Sequence, residues 1–225
     1  MAQAVSPPPR EGLRERNKRE KLARIIAAAR DSFGRNGYEG TTLRQVAKAA
    51  DVGAGTLFLY ARTKEDLLVL VFKRELEPVI DRSFEDLPNG GLLQQLLHIY
   101  RAVTEHHAQN MTLSRPFLKD LAFVSEPLST EITAFTFRWV ERIAGLVDQA
   151  KARGEIAPSI DSQLLANTSL QLFLASLRRW VAGAVGRADC DAALPRSLGL
   201  LLTGLGPRGG LPSPRPVVGA GFCET

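Results

Sequence analysis

The residues that decide the fold are 25–68, which read IIAAARDSFGRNGYEGTTLRQVAKAADVGAGTLFLYARTKEDLL. Their apolar side chains recur every three or four positions, which is the period of an amphipathic helix and not of a strand. The stretch contains no proline, and Gly and Asp residues interrupt it between the apolar segments. It therefore predicts several helices joined by short turns.

The first predicted helix carries a single apolar face. That face consists of Leu22, Ile25, Ile26, Ala29 and Phe33. Gly34 and Gly37 follow it, and glycine is the usual residue just beyond the end of a helix. We therefore expect a strong first helix that stops at these glycines.

Two short helices follow the first. The hydroxyl of Thr42 can cap the second helix, and Gln45 three residues later completes a capping box. The predicted buried face of this helix is Leu43, Val46, Ala47 and Ala50. A break at 51–53 separates it from a short helix over Ala54–Tyr60, and Thr63 then caps a longer helix. Two short helices joined by a tight turn predict a helix-turn-helix.

The remaining sequence predicts an all-α fold with a larger helical unit behind the first three helices. Further helices are expected at Gly91–Gln109, Thr112–Val124, Leu128–Arg153, Asp161–Val185 and Leu194–Leu205. No stretch shows sustained strand alternation, and no internal repeat is found. Proline and glycine cluster at both ends. The predicted organisation is a disordered arm (1–14), a helix-turn-helix domain (15–64), a helical ligand-binding and dimerisation domain (65–205) and a disordered tail (206–225).

Composition excludes several classes of protein. The 225 residues include 44% hydrophobic and 24% charged residues, which is ordinary for a globular chain and excludes fibrous or wholly disordered designs. Only two cysteines, Cys190 and Cys223, are present, too few for a disulfide framework. Neither a signal peptide nor a membrane-spanning run is recognisable, so the expected location is the cytoplasm without membrane attachment.

The net charge of +5 is unevenly distributed along the chain. Residues 10–74 hold 15 Lys or Arg against 8 Asp or Glu, a charge of +7, and the rest of the chain carries −2. Such a run is often only a solvated helix face. Beside a helix-turn-helix, contact with nucleic-acid phosphates is the better interpretation.

The stretch quoted above resembles the DNA-binding domain of the TetR family of bacterial transcriptional regulators. The resemblance rests on three segments in order and at unbroken spacing, FGRNGYEGTTLRQVAKAADV, GTLFLY and KEDLL. It covers residues 25–68. The later helices match that family in number and length and carry no motif.

The resemblance implies which residues face DNA. The short helix would enter the major groove, where the small residues Ala54 and Gly55 allow close approach to the bases. Lys64 would bind a phosphate, which positions the domain without reading sequence. Leu57 would face the core. The positions expected at the DNA are Thr42, Arg44, Ala54, Gly55, Thr56, Phe58, Tyr60 and Lys64.

Three residues depart from the family pattern. Phe58 stands where a tyrosine is usual, so only an apolar contact with DNA remains there. Gly53 replaces a Ser or Thr cap, which weakens the helix by a few tenths of a kcal/mol. Ala61 replaces a bulky aromatic residue, and other side chains must fill the core below it. These changes affect single contacts and leave the motif intact.

The resemblance also implies an effector pocket and a dimer. The candidate ligand-binding residues are Phe72, His98, Tyr100, Phe117, Phe135 and Trp139, with Met111 and Phe123 nearby. Aromatic residues at helical spacing are more often plain core. Apolar stripes on the last two helices fit a homodimer interface, although such helices also complete monomeric cores.

These observations predict a ligand-responsive transcriptional regulator. It would be a repressor that a small, largely hydrophobic effector releases from a palindromic operator in double-stranded DNA. The alternative is a helical ligand-binding or scaffold protein whose N-terminal hairpin does not read DNA. The three histidines show no metal-ligand spacing, and no catalytic motif is present, so neither a cofactor nor an enzyme is expected.

Overall fold

The computed structural model describes residues 12–120, 126 and 128–204. Its elements, in chain order, are α1 (Leu13–Asn36), α2 (Leu43–Ala49), α3 (Ala54–Phe58), α4 (Lys64–Glu85), α5 (Leu92–Gln109), α6 (Met111–Asp120), α7 (Leu128–Ala152), α8 (Ser162–Val181) and α9 (Arg187–Thr203). Within these ranges there is no β-strand. The predicted all-α fold is confirmed.

Helix α1 extends beyond its apolar stripe at both ends. It begins at Leu13, inside the arm predicted over residues 1–14, and its turns up to Lys21 are exposed to solvent. Of the two glycines predicted to stop the helix, Gly34 lies inside it. Burial of the preceding Phe33 outweighs the roughly 1 kcal/mol that an exposed helical glycine costs. The helix ends instead at Gly37, whose φ of 71° lies in the left-handed region that glycine tolerates.

Helices α2 and α3 pack with α1 and α4 around one end of the apolar core. This part of the core includes Ile25, Phe33, Val46 and Leu57, each at most 2% exposed. Because α2 has seven residues and α3 has five, neither forms a stable helix in isolation. Burial of these side chains therefore holds the helix-turn-helix together.

Helix α4 links the helix-turn-helix to the rest of the molecule. It contacts α1 on one side and α5, α6 and α7 on the other. Six consecutive residues, Leu67 to Phe72, are buried, so the helix is surrounded over this length. Helix α8 then packs between α7 and α9. A displacement of α4 would act on both parts of the molecule.

The last two helices differ from their predicted bounds. Helix α8 ends at Val181 and not at Val185, and Gly183 follows with a φ of 79°. Helix α9 begins at Arg187 and not at Leu194, so Pro195 lies inside it at the loss of one backbone hydrogen bond. Burial of Cys190 one turn before Leu194 favours the longer helix.

Some predictions concern residues that the structure does not describe. These are most of the predicted arm, the tail over 206–225 with Cys223, and the segment 121–125 with Phe123. Helix α6 is described as far as Asp120. None of the described helices is both long and apolar enough to cross a bilayer.

Candidate DNA-binding and effector sites

Hydrogen bonds at two helix starts fix the frame of the helix-turn-helix. At α2, the Thr42 hydroxyl oxygen accepts from the Gln45 N–H at 3.3 Å, and the Gln45 side chain accepts from the Thr42 N–H at 2.9 Å. At α4, the Thr63 hydroxyl accepts from the Asp66 N–H at 3.0 Å, and the Asp66 carboxylate accepts from the Thr63 N–H at 3.1 Å. The predicted caps at both threonines are confirmed.

The turn between α2 and α3 has an unusual backbone. Asp51 adopts a φ of 52°, a left-handed conformation that aspartate tolerates better than most residues. The Val52 N–H donates to the Ala47 carbonyl at 3.0 Å, and Gly53 begins α3 without a side-chain cap. Leu57 is 1% exposed and anchors α3 to the core, as predicted. The opposite face of α3 is therefore directed to solvent.

That outer face of α3 is small and apolar. Ala54 and Gly55 are exposed, and Phe58 is 49% exposed. Leu59, which directly follows α3, is 76% exposed. Large apolar side chains presented to water in this way mark a contact surface. The small residues permit close approach to a DNA groove, and Phe58 and Leu59 can contact thymine methyl groups.

Lys64 lies at the start of α4, beside this face. Its Nζ is 3.3 Å from Glu39 Oε2 and 4.3 Å from the centre of the Tyr38 ring. The Glu39 side chain is 91% exposed and is therefore easily displaced. A DNA phosphate could take the place of this carboxylate. Thr42 and Arg44 are exposed on α2 and can reach the same backbone.

Tyr60 makes a contact within the protein that its predicted DNA role does not include. Its hydroxyl donates to the Lys18 carbonyl of α1 at 3.3 Å. Thr56 is half-buried, as is Tyr60. The Tyr60 hydroxyl therefore ties the end of α3 to α1, and its contact with DNA stays a prediction.

Several predicted ligand-binding residues lie in tight aromatic stacks. Tyr100 stacks on Phe173 with ring centres 4.4 Å apart, and its hydroxyl lies 2.8 Å from Ser169 Oγ. Burial raises the pKa of Tyr100 above its ordinary value, so its hydroxyl stays protonated. Phe72 stacks on Phe117 at 4.3 Å. These rings pack directly against each other and lie at the centre of the C-terminal core.

Phe135 and Trp139 line a cleft of about 490 Å³ between α4 and α7. Trp139 also meets the rings of Tyr100 and Phe173 edge-on, at 6.3 Å and 6.2 Å between centres. It thus connects the cleft to the buried stacks. His98 is half-buried on α5 and does not line this cleft. A second groove between α7 and α8 is bordered by the exposed side chains of Phe137 and Leu164.

Two histidines lie at the junction of α4, α5 and α6, His107 buried and His106 half-buried. His107 Nδ1 lies 2.9 Å from Ser114 Oγ, and burial together with neighbouring His106 lowers the pKa of His107 to about 4. His106 Nε2 is 3.6 Å from Glu75 Oε2. Burial lowers the pKa of His106 and raises the pKa of Glu75, because desolvation disfavours the charged form of each group. Among the described residues, no group of three or more side chains could hold a metal ion.

Comparison with known proteins identifies the helix-turn-helix. The family model "Bacterial regulatory proteins, tetR family" matches residues 25–71. Residues 25–71 are therefore a DNA-binding domain of the TetR family. The chain is 25% identical over 193 residues to the fatty acid metabolism regulator protein of Bacillus subtilis, covering 84% of this chain and 98% of that relative. It is 26% identical over 186 residues to the transcriptional repressor KstR of Rhodococcus jostii, covering 82% and 84%.

A solved structure extends the TetR likeness to the whole described fold. The Thermus thermophilus FadR structure, a TetR-family transcriptional repressor in complex with lauroyl-CoA, superposes with a TM-score of 0.69. Sequence identity is 26%, with 86% of this chain and 100% of that chain covered. The protein is therefore a DNA-binding transcriptional regulator with an N-terminal helix-turn-helix and a helical C-terminal domain.

Five of the predicted DNA-facing residues of this regulator lie on the exposed surface of α3 and of the start of α2: Thr42, Arg44, Ala54, Gly55 and Phe58. Thr56, Tyr60 and Lys64 are half-buried. Leu59 belongs to that surface and was missed, although it follows Gly55 by one helical turn. Arg74, Arg138 and Arg142 line the cleft and were missed as well. On α7, Arg138 is next to Trp139 and Arg142 follows Trp139 by three residues, so the sequence alone could have placed both arginines near that ring. Nothing in the sequence places Arg74 opposite them.

Proposed function

We propose that this TetR-family regulator is a cytoplasmic, homodimeric repressor that binds a palindromic operator and is released by an acyl-CoA thioester. The observation that carries the DNA part is the outer face of α3, where Ala54, Gly55, Phe58 and Leu59 are exposed beside Lys64. The function is regulatory, and no catalytic activity is assigned to it.

Contact with the DNA backbone supplies most of the expected affinity. The exposed cations at the start of α1 flank the groove-facing helix. They are Arg14, Arg16, Lys18, Arg19 and Lys21. Each phosphate that they neutralise releases condensed counterions, so binding must weaken steeply with salt. Sequence preference then comes from the few side chains on α3.

A dimer would explain how five residues of α3 suffice for a specific site. Two α3 helices related by a two-fold axis would meet successive major grooves about 34 Å apart. The exposed faces of α8 and α9 support this assembly, because Leu164 is 64% exposed and Leu200 is 56% exposed. Leu200→Glu should shift the purified protein towards monomer in sedimentation, whereas Leu13→Glu, at a leucine 65% exposed on α1, should not.

The chemistry of the effector is suggested by the relatives. The fatty acid metabolism regulator of Bacillus subtilis is matched over 98% of its own length. The structure of Thermus thermophilus FadR, which superposes on this fold, is a complex with lauroyl-CoA. The aromatic cleft between α4 and α7 suits the apolar part of such a ligand. If the thioester binds better to the conformation that does not fit DNA, it lowers the affinity for the operator. The operator lowers the affinity for the thioester by the same factor, because the coupling between the two sites is reciprocal.

Selection of operators from random DNA with the purified dimer tests this proposal. An inverted repeat, steep salt dependence and release by lauroyl-CoA are expected. Lys64→Ala should weaken binding to all DNA and lower the salt slope by about 1, whereas changes at Ala54 should alter which operator is preferred. Lys119→Ala on α6 is the matched control. Binding that ignores sequence, or no binding, would favour a ligand-binding scaffold.

A further inference from the structure

The cleft between α4 and α7 combines an apolar floor with a ring of charge. Phe135, Trp139 and Ile80 supply the apolar surface. Arg74 comes from α4, and Arg138 and Arg142 come from α7 one helical turn apart. Three guanidinium groups around one apolar cleft are not needed for core packing and are suited to binding an anion.

The carboxylates in the cleft neutralise these arginines only in part. Arg138 Nη2 lies 3.8 Å from Glu77 Oε1, and the same oxygen lies 3.2 Å from Lys73 Nζ, so Glu77 is shared. Arg142 pairs with Asp81 and also lies over the Phe84 ring at 4.0 Å. Arg74 is exposed and has no salt bridge to a described residue. Three guanidinium groups face two carboxylates, which leaves the cleft positive.

The apolar floor contains a polar group that lacks a partner. Trp139 is 7% exposed, and its indole Nε1 is buried without a hydrogen-bond acceptor among the described residues. A buried donor without an acceptor is unfavourable, so it is rarely left in that state without a role. Trp139 also lines the cleft. This is a second observation, independent of the charges.

We propose that the α4/α7 cleft binds the anionic head of an amphipathic effector, with Arg74 and Arg138 holding its phosphate or carboxylate oxygens and Phe135 and Trp139 packing against its apolar part. The inference rests on the proposed function and specifies which side chains read the effector. Planar guanidinium groups match the oxygens of phosphate and carboxylate in paired hydrogen bonds. Arg142 is held by Asp81 and Phe84 and has a supporting role.

Ligand binding in this cleft can affect the DNA-binding surface through helix α4. Arg74 and Lys64 lie on the one helix α4, ten residues apart, which is about 15 Å along its axis. A ligand that bridges Arg74 and Arg138 binds best to one spacing of α4 and α7. Because α4 also contacts α1, that spacing sets the position of the helix-turn-helix.

The test uses full-length protein with the double substitution Arg74→Gln and Arg138→Gln. Its matched control is Arg101→Gln with Lys119→Gln, which removes the same charge from exposed positions on α5 and α6. Affinity for lauroyl-CoA, laurate and CoA alone is measured by calorimetry, and operator release is measured with each compound. Operator affinity without ligand and thermal unfolding show whether each variant is folded.

We expect the arginine double variant to bind lauroyl-CoA at least about ten-fold more weakly, with operator affinity unchanged, and the control to change less than about two-fold. A loss for lauroyl-CoA and CoA that spares laurate identifies phosphate as the bound group, and a loss for laurate as well shows that the same arginines also bind carboxylate. If the unmodified protein responds to lauroyl-CoA and the double variant responds equally, the cleft assignment is wrong and the proposed function stands. If the unmodified protein responds to neither acyl compound, the proposed effector class is wrong.

A second measurement does not depend on the arginines. The chain has two tryptophans, so Trp180→Phe leaves Trp139 as the single fluorophore. Lauroyl-CoA should then change the emission of Trp139, and CoA alone should change it less. Unchanged emission at saturating lauroyl-CoA would show that the ligand binds elsewhere.

Discussion

The helix-turn-helix and the C-terminal domain of this regulator are organised by contacts of very different range. In the helix-turn-helix, the capping boxes at Thr42 and Thr63 join residues three positions apart. In the C-terminal domain, Tyr100 and Ser169 meet across 69 positions. The first region presents Phe58 and Leu59 to solvent beside its motif, whereas Tyr100 and Phe173 of the second stack against each other in the core. The proposed DNA-binding surface is thus built on a local motif, and the proposed effector cleft depends on distant pairings.

The largest effect is expected when a ring is removed from the aromatic stacks of the C-terminal domain. Phe173 is 1% exposed and stacks on Tyr100. Phe173→Ala should lower the free energy of unfolding by about 3–5 kcal/mol, because it leaves a cavity in a packed core. Urea denaturation measures the loss. Phe137→Ala, at a ring 56% exposed, is the matched control, and an equal loss there would contradict the assignment of Phe173 to the core.

A second test uses pH at the junction between the two regions. The pKa of His107 is lowered to about 4 in the folded chain, against about 6.5 in an unfolded one. The unfolded chain therefore takes up the proton first, so the stability due to His107 is complete above about pH 6.5 and is lost as the pH falls towards 4. Between about pH 7 and about pH 5, we expect this residue to account for a loss of about 2 kcal/mol.

Denaturant unfolding at the two pH values checks the prediction. His107→Gln should lose this part of the pH dependence, whatever its effect on stability at neutral pH. His98→Gln on the same helix should retain it. Parallel pH profiles for the unmodified protein and His107→Gln would show that His107 is not buried as a neutral ring.

On the DNA side, Phe58→Ala should change sequence preference and leave stability unaltered. Phe58 is 49% exposed, so its removal opens no cavity. We expect the preferred operator to lose about ten-fold in affinity relative to competing sites, close to the effect of one mismatched base pair. Competition binding measures the ratio. A uniform loss for all DNA would indicate a backbone contact and not a base contact.

The smallest expected effect concerns a cap. Thr63→Ala removes the acceptor for the Asp66 N–H at the start of α4 and should cost about 1 kcal/mol of unfolding free energy. Thr133→Ala, inside α7 and exposed, should cost nothing, because alanine is the better helix former there. Thermal unfolding of both variants distinguishes a cap from an ordinary helical threonine.

The N-terminal elements were predictable from the sequence because their signals are local. Both capping threonines and the break at Asp51 follow from spacing, and the buried position of Leu57 follows from the resemblance to the TetR family. Helix ends were less predictable: α1 continues through Gly34, and α9 begins seven residues before Leu194 with Pro195 inside it. In both helices the burial of a neighbouring side chain outweighs the local propensity to stop.

The sequence by itself determined that this protein is helical and carries a helix-turn-helix, since caps and apolar periodicity act within a few residues. Only the tertiary structure shows that Arg74 of α4 and Arg138 of α7 line one cleft. It also shows that the Tyr60 hydroxyl donates to the Lys18 carbonyl of α1, and that Trp139 lines the cleft whereas Tyr100 lies in the core. Each of these depends on how helices distant in the chain pack, and the energy of packing comes from side chains that no local pattern brings together.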